Sequence, residues 1–197
     1  MTTILITGFG RFHGAPFNPS CGLARELVRI RRPAFAGTRR IAHIFPTSYA
    51  AVDRQLPMLL ADHRPDAVVM FGLAMRTKHI RIELQAANRM LALFPDASGY
   101  SPDARSIRPR GPTRLCGRAP FLSMLAAARG HGLDARLSRD AGRYVCNYSY
   151  WRAIEAAAMP NGPAIVVFVH VPNVRGPRFA NLIGAAEAIL AAVVSGL

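Results

Sequence analysis

The sequence predicts an α/β fold, a single-domain α/β/α sandwich with a mostly parallel twisted sheet and helices on both faces. Short apolar runs rich in β-branched residues (TILITGF, DAVVMFGLA, AIVVFVHVP) need cover on both sides, as strands of a parallel sheet do. Segments with helical spacing fall between them, so strands and helices alternate along the chain. The 197 residues, 51% of them hydrophobic, suffice for one sizeable core. Residues 1–197 are therefore read as one domain, with a loop excursion at about 95–118.

Each element has its own signal. Residues 3–9 form a buried strand ended by Gly8, and the Gly/Pro-rich stretch GFGRFHGAPFNPS follows. Asn18 or Ser20 can cap a helix to about residue 30, with Leu23, Leu27 and Ile30 on one face. RIAHIF at 40–45 is the next strand, Pro46 and Thr47 end it, and a helix runs to about residue 62. Residues 66–74 are a strand, and HIRIELQAA at 79–87 alternates like a strand with one exposed face. Residues 95–118 have no period and are polar and Pro/Gly-rich, as functional or disordered loops are. A helix is expected over 119–130, a strand over 133–142, a helix from Cys146 to about 158, a strand over 164–172 and an amphipathic helix over 178–195.

Several function classes recede on composition. Three cysteines, Cys21, Cys116 and Cys146, without a CxxC pattern, suit free thiols in a reducing compartment and argue against structural zinc. His13, His43, His63, His79 and His131 show no ligand spacing, so no metal is expected. No uninterrupted apolar run reaches about 18 residues, so no membrane-spanning helix is expected. MTTILITGF lacks a basic n-region and a cleavage site, so no secretory leader is expected. GFGRFHG lacks the lysine of a Walker loop and makes a poor dinucleotide fingerprint. The net charge is +14, and Lys78 is the only lysine among the 25 basic residues. The arginines are scattered without a nucleic-acid motif, so a nucleic-acid partner is not expected despite the charge.

Sites in open α/β sheets form outside the carboxyl ends of strands. Cys146 follows the strand expected at 133–142, His170 closes the strand at 164–172, and Glu83 lies on the strand at 79–87. Together they are a thiol nucleophile, a base and an orienting carboxylate. A thiolate is stabilised at a helix N-terminus beside a histidine, the histidine returns a proton to the leaving amine, and a carboxylate fixes the imidazole tautomer. Backbone N–H groups at the same helix start can serve an oxyanion. Blander readings stand beside each: Cys146 as a small core residue, His170 as a satisfied buried histidine, Glu83 as a surface charge. Cys21 and Cys116 have no partner and are read as structural.

These segments resemble the type I pyroglutamyl peptidases (pyrrolidone-carboxylate peptidases). TGFGRFHGAPFNPS (7–20) is similar to the family's TGF-x-x-F-x-G followed by NPS. IELQAAN (82–88) contains E-x-x-A-x-N, AGRYVCN (141–147) fits AG-x-[FY]-VCN, and FVHVP (168–172) fits F-[IV]-H-[IV]-P. The resemblance implies a cysteine omega-peptidase that cleaves an N-terminal pyroglutamyl amide through a thioester. It implies Cys146 as nucleophile, His170 as base then acid, and Glu83 as orienting carboxylate. It also implies no cofactor, a peptide substrate with N-terminal pyroglutamate, a cytoplasmic location without a membrane, and a homo-oligomer, often a homotetramer. The acyl pocket it implies falls on Phe9, Phe12, Thr47, Phe94, Tyr144 and Val145, with Asn18 nearby. Two phenylalanines can sandwich a flat neutral lactam, and such a slot rejects a charged N-terminus.

The chain departs from the pattern at several places. Leu73 stands where glutamine is usual and Met75 where glycine is common. Leu84 and Leu93 replace arginines, and Gly10, Arg11 and His13 replace an acidic-Pro pair and a glycine. A second hypothesis follows: an impaired or respecified relative that binds a lactam, a peptide end or a polyanion. The +14 charge fits either an acidic peptide substrate or a polyanion partner.

Overall fold

A computed structural model of the chain describes residues 1–12, 14–91 and 94–197. In chain order it contains β1 (Thr2–Phe9), α1 (Pro19–Arg29), β2 (Thr38–Phe45), α2 (Tyr49–His63), β3 (Ala67–Leu73), β4 (Ile80–Glu83), β5 (Gln85–Ala87), β6 (Arg114–Cys116), α3 (Phe121–Arg129), β7 (Ala135–Ser138), α4 (Val145–Ala157), β8 (Ile165–Val171) and α5 (Pro177–Ser195), with a 3-10 turn at Pro33–Phe35. Six strands form one sheet in the order β2-β1-β3-β8-β4-β7. Strands β2, β1, β3 and β8 run parallel; β4 and β7 run parallel to each other and antiparallel to β8. The expected α/β fold with a mostly parallel sheet holds, β4 and β7 being the strands that run against β8.

The apolar runs sit where their composition demands. All seven residues of β3 and of β8 are buried, as central strands covered on both faces must be. Alternate side chains divide between two cores. Ile4, Ile6, Val69, Phe71, Val167 and Val169 face α1, α3 and α5. Leu5, Phe9, Val68, Met70, Val166 and Phe168 face α2 and α4. Helix α5 is long and apolar enough, at a mean hydropathy of 1.4, to cross a membrane by length and composition. Its stripe of Leu182, Ala185, Ala186, Ile189, Leu190 and Val193 is instead buried in the core against α1 and α3.

Two expectations need correction. The single strand expected over 79–87 is two strands in different sheets, because β5 leaves the main sheet and pairs antiparallel with β6. Leu84 is the pivot: its N–H donates to the Ser138 carbonyl (2.7 Å), and its carbonyl accepts from Gly117 N–H (3.0 Å). Nor does β4 expose a face. Its polar positions, Arg81 and Glu83, lie on the side covered by α4, where the Tyr150 hydroxyl donates to the Glu83 carbonyl (2.9 Å). The strand expected over 133–142 is confined to Ala135–Ser138. Beyond it, Gly142 adopts a left-handed conformation (φ +83°), and its N–H donates to Asp140 Oδ1 (3.0 Å) as the chain turns toward α4.

Of the two caps the sequence offers, Asn18 and Ser20, it is Asn18 that caps α1. Its Oδ1 accepts from Ser20 N–H (3.1 Å) and Ser20 Oγ–H (2.8 Å), while Nδ2 donates to the Gly10 carbonyl (3.0 Å). One buried side chain thus ties the helix start to the loop after β1. Asn18→Ala is expected to cost about 2 kcal/mol, since a cap and a buried carbonyl partner go together. The urea midpoint measures this, and an unchanged midpoint would contradict the structural role.

Candidate active site

The geometry starts at the seam where the sheet reverses direction. In the antiparallel β4–β8 pair, Glu83 lies opposite Phe168 and Arg81 opposite His170. Glu83 and His170 are therefore diagonal neighbours on one face, a spacing that long side chains bridge. His170 Nδ1 donates to Glu83 Oε1 at 2.9 Å, with Glu83 fully buried and His170 at 7% exposure. A carboxylate only accepts, so Nδ1 carries the proton and Nε2 is left as the basic nitrogen.

Arg81, which the sequence reading passed over, reaches the same oxygen: its Nε lies 3.1 Å from Glu83 Oε1. Its guanidinium also donates to Ser138 Oγ (2.7 Å) and to the Asp140 carbonyl, tying the carboxylate to the end of β7. The other carboxylate oxygen, Oε2, is buried and has no hydrogen-bond partner among the described residues. Period-2 spacing from Glu83 was the available signal for Arg81.

Cys146 is the second residue of α4. Its Sγ lies over Gly72, which pairs in register with His170 across β3–β8. A methyl group on Gly72 would sit 2.9 Å from Cys146 Sγ and 2.7 Å from Phe168 Cζ, so only glycine fits there without displacement. Glycine inside an apolar strand is the signal the sequence reading missed. Phe168 links the parts, with ring centroids 4.8 Å from His170, 5.8 Å from Tyr150 and 6.3 Å from Phe9.

The thiol is not the resting thiolate expected from its helix position. Burial, with the charge of Glu83 second, pushes Cys146 up to about 12, against a smaller opposing effect of its own backbone N–H. Tyr144, at the N-cap of α4, makes no side-chain cap hydrogen bond among the described residues. The neighbouring Asn147, fully buried, clamps the chain opposite: Nδ2 donates to the carbonyls of Ala87 (2.8 Å) and Arg89 (3.1 Å), and Oδ1 accepts from Ala87 N–H (2.8 Å).

The residues implied for the acyl pocket fall around this centre in different ways. Phe9 is 1% exposed and packs on Phe45 and Phe168, so it lies beneath the surface rather than beside an open slot. Phe12 is half-buried, its ring 6.0 Å from that of Tyr144. Val145 is fully buried, and Thr47 Oγ1 donates to the Gly10 carbonyl (3.2 Å), the acceptor it shares with Asn18. Phe94 is mostly exposed at 57%.

The segment after Phe94 is fixed rather than loose. Burial works against the Asp96 carboxylate, but hydrogen bonds from Ser98, Tyr49 and Tyr100 hold it below the usual range. The Tyr144 hydroxyl donates to the Pro95 carbonyl (2.8 Å), and Ala97 N–H donates to the Thr47 carbonyl (2.9 Å). Of the departures from the family pattern, Leu73 is buried and Leu84 is the pivot already described. His13 and Leu93 lie outside the described residues.

Gly72→Ala is expected to lower stability by about 1–3 kcal/mol through overpacking. Alkylation of Cys146 should slow relative to exposed Cys116, read by mass spectrometry of the native protein. Unchanged stability and an unchanged labelling ratio would show that the slot under Cys146 has slack.

Comparison with known proteins identifies the family of the chain. The family model described as pyroglutamyl peptidase matches residues 2–187. The pyrrolidone-carboxylate peptidase of Thermococcus onnurineus is 32% identical over 169 residues, spanning 86% of this chain and 82% of the relative. That of Pseudomonas fluorescens is 32% identical over 175 residues, spanning 87% and 79%. The solved pyrrolidone carboxyl peptidase of Thermococcus litoralis matches with a TM-score of 0.89 at 25% identity, over 99% of this chain and 94% of that one. The chain belongs to the pyroglutamyl peptidase family.

Proposed function

We propose that this protein is a cysteine omega-peptidase that hydrolyses the N-terminal pyroglutamyl amide bond of peptides, with Cys146 as nucleophile, His170 as base then acid, and Glu83 as orienting carboxylate. The observation that carries the reading is the buried Glu83–His170 hydrogen bond at 2.9 Å beside a thiol packed over Gly72. Family membership over residues 2–187 supports the substrate class and the reading of the chain as one catalytic domain.

The chemistry follows from the protonation states. Cys146 rests as a thiol, so attack needs simultaneous proton transfer to His170 Nε2. Sγ bonds to the pyroglutamyl carbonyl carbon, and the carbonyl oxygen gains negative charge that N–H groups at the start of α4 stabilise. The imidazolium is held by Glu83 through Nδ1 and gives its proton to the departing amine. Water, deprotonated by the same nitrogen, then cleaves the thioester and releases pyroglutamate.

Phe12 and Tyr144 form the accessible aromatic wall of the acyl pocket, with Phe9, Val145 and Phe168 as its packed backing. Thr47 and Asn18 hold the Gly10 loop in place, and Phe94 stands at the rim. A charged amino terminus has no carboxylate partner in such a wall, whereas the neutral lactam needs none. The cytoplasmic location and the homo-oligomeric assembly belong to the same proposal, supported by membership of the family.

Release of a fluorescent amine from a pyroglutamyl amide tests the reading. The parent is expected to turn over, and Cys146→Ser or His170→Ala to lose essentially all activity while remaining folded. Glu83→Gln should retain the fold and lose roughly 10²–10⁴ in kcat, the range for a misoriented base. Equal turnover by parent and Cys146→Ser would contradict the assignment.

A further inference from the structure

Three arginines border one cavity near the start of α4, and none of them is paired with a carboxylate among the described residues. Asn88, Arg89, Met90, Arg105, Ser106 and Arg143 line a cavity of about 380 Å³. Arg89, Arg105 and Arg143 are exposed. Like charges gathered at one place repel, so the backbone must hold them together.

It does so through each of their carbonyls. Arg89 O accepts from Asn147 Nδ2 (3.1 Å), Arg105 O from Met90 N–H (2.9 Å) and Arg143 O from Leu91 N–H (2.8 Å). Asn88 adds a fourth tie, exchanging two 2.8 Å hydrogen bonds with the Arg108 backbone. Three separate chain segments are thus stitched together around one cavity, each bringing an exposed arginine to its lining. A guanidinium cluster of this kind pairs with carboxylates through two parallel N–H···O bonds.

The patch is tied to the nucleophile as well. Arg143 precedes Cys146 by three residues, which puts their Cα atoms at most roughly 11 Å apart. Asn147, which holds Arg89, is the residue after Cys146. An extended peptide advances about 3.3 Å per residue. A carboxylate reaching the cavity from a substrate bound at Cys146 therefore sits one to three residues beyond the scissile bond.

We propose that the Arg89–Arg105–Arg143 cavity is an anion subsite that selects peptides carrying a carboxylate one to three residues after the pyroglutamate. The proposal rests on the peptidase reading for the position of the substrate, and on the arginine geometry alone for the charge preference. It gives part of the chain's positive charge a role at the active site, with an acidic peptide as the partner.

Two amidated peptides test it: pyroglutamyl-alanyl-glutamyl-glutamate amide and its glutamine counterpart. Binding is read on Cys146→Ser, and kcat/KM on the parent. The acidic peptide is expected to be preferred roughly five- to tenfold at low salt in both readings, and less as salt rises. The double variant Arg89→Gln/Arg143→Gln should bring the preference close to one. The equally charged control Arg39→Gln/Arg178→Gln, at exposed sites elsewhere, should keep it.

A third peptide, the glutamine sequence with a free terminal carboxylate, separates a chain-end carboxylate from a side-chain one. Preference for either carboxylate supports the subsite and assigns its source. Equal handling of acidic and neutral peptides, no binding of any peptide, or equal loss in the control double, would overturn the proposal. Acid-selective binding to Cys146→Ser without cleavage by the parent would keep the subsite and overturn the peptidase reading instead.

Discussion

A carboxylate buried beneath a histidine is the constraint around which this molecule is arranged. Glu83 is fully buried, and an isolated carboxylate in that position would be strongly unfavourable. Its compensation comes from two sides, His170 at 2.9 Å and Arg81 at 3.1 Å, both on the same oxygen. This is possible because β4 runs against β8. The reversal puts Glu83 opposite Phe168 and within diagonal reach of His170, on the face that α4 covers. The break at Leu84 then frees β5 to leave the sheet and meet Asn147, which anchors the start of α4.

The state of the thiol follows from the same burial. Cys146 Sγ packs over Gly72, and burial, with the Glu83 charge second, disfavours a thiolate there. The helix start favours the opposite state but does not prevail. In the proposed mechanism the proton then moves to His170 as the sulfur attacks, so histidine orientation matters as much as thiol placement. The Glu83 bond to Nδ1 supplies that orientation and supports the imidazolium once it forms. Arg81, in the opposite sense, draws on the same carboxylate oxygen and moderates that support.

Much of this was legible in the sequence because it was local. The runs TILITGF, DAVVMFGLA and AIVVFVHVP announced central strands by composition alone, and Asn18 announced a helix start by its neighbours. Three of the four family segments pointed to Glu83, Cys146 and His170 as the proposed carboxylate, nucleophile and base. What escaped depended on tertiary partners. Alternation in HIRIELQAA looked like a solvent face, whereas its polar side chains point at a helix and at each other. Period-2 spacing puts Arg81 on the face of Glu83, but the direction of β4 has no sequence signal, so the diagonal to His170 was not foreseeable. The polar stretch over 95–118 hid a short strand, β6, whose pairing with β5 lies across more than twenty-five residues. The thiol's protonation depends on what packs over it, and the helix-start rule alone gave the opposite direction.

The central claim is that Cys146, served by His170 and Glu83, forms a thioester with the pyroglutamyl group. The most direct measurement is rapid acid quenching of the parent with a pyroglutamyl ester, followed by mass spectrometry of the peptide containing Cys146. The account predicts a pyroglutamyl adduct on Cys146 that appears within the first turnover and decays with steady-state product formation. Efficient product release with no adduct on Cys146, or an adduct on Cys21 or Cys116 instead, would contradict it.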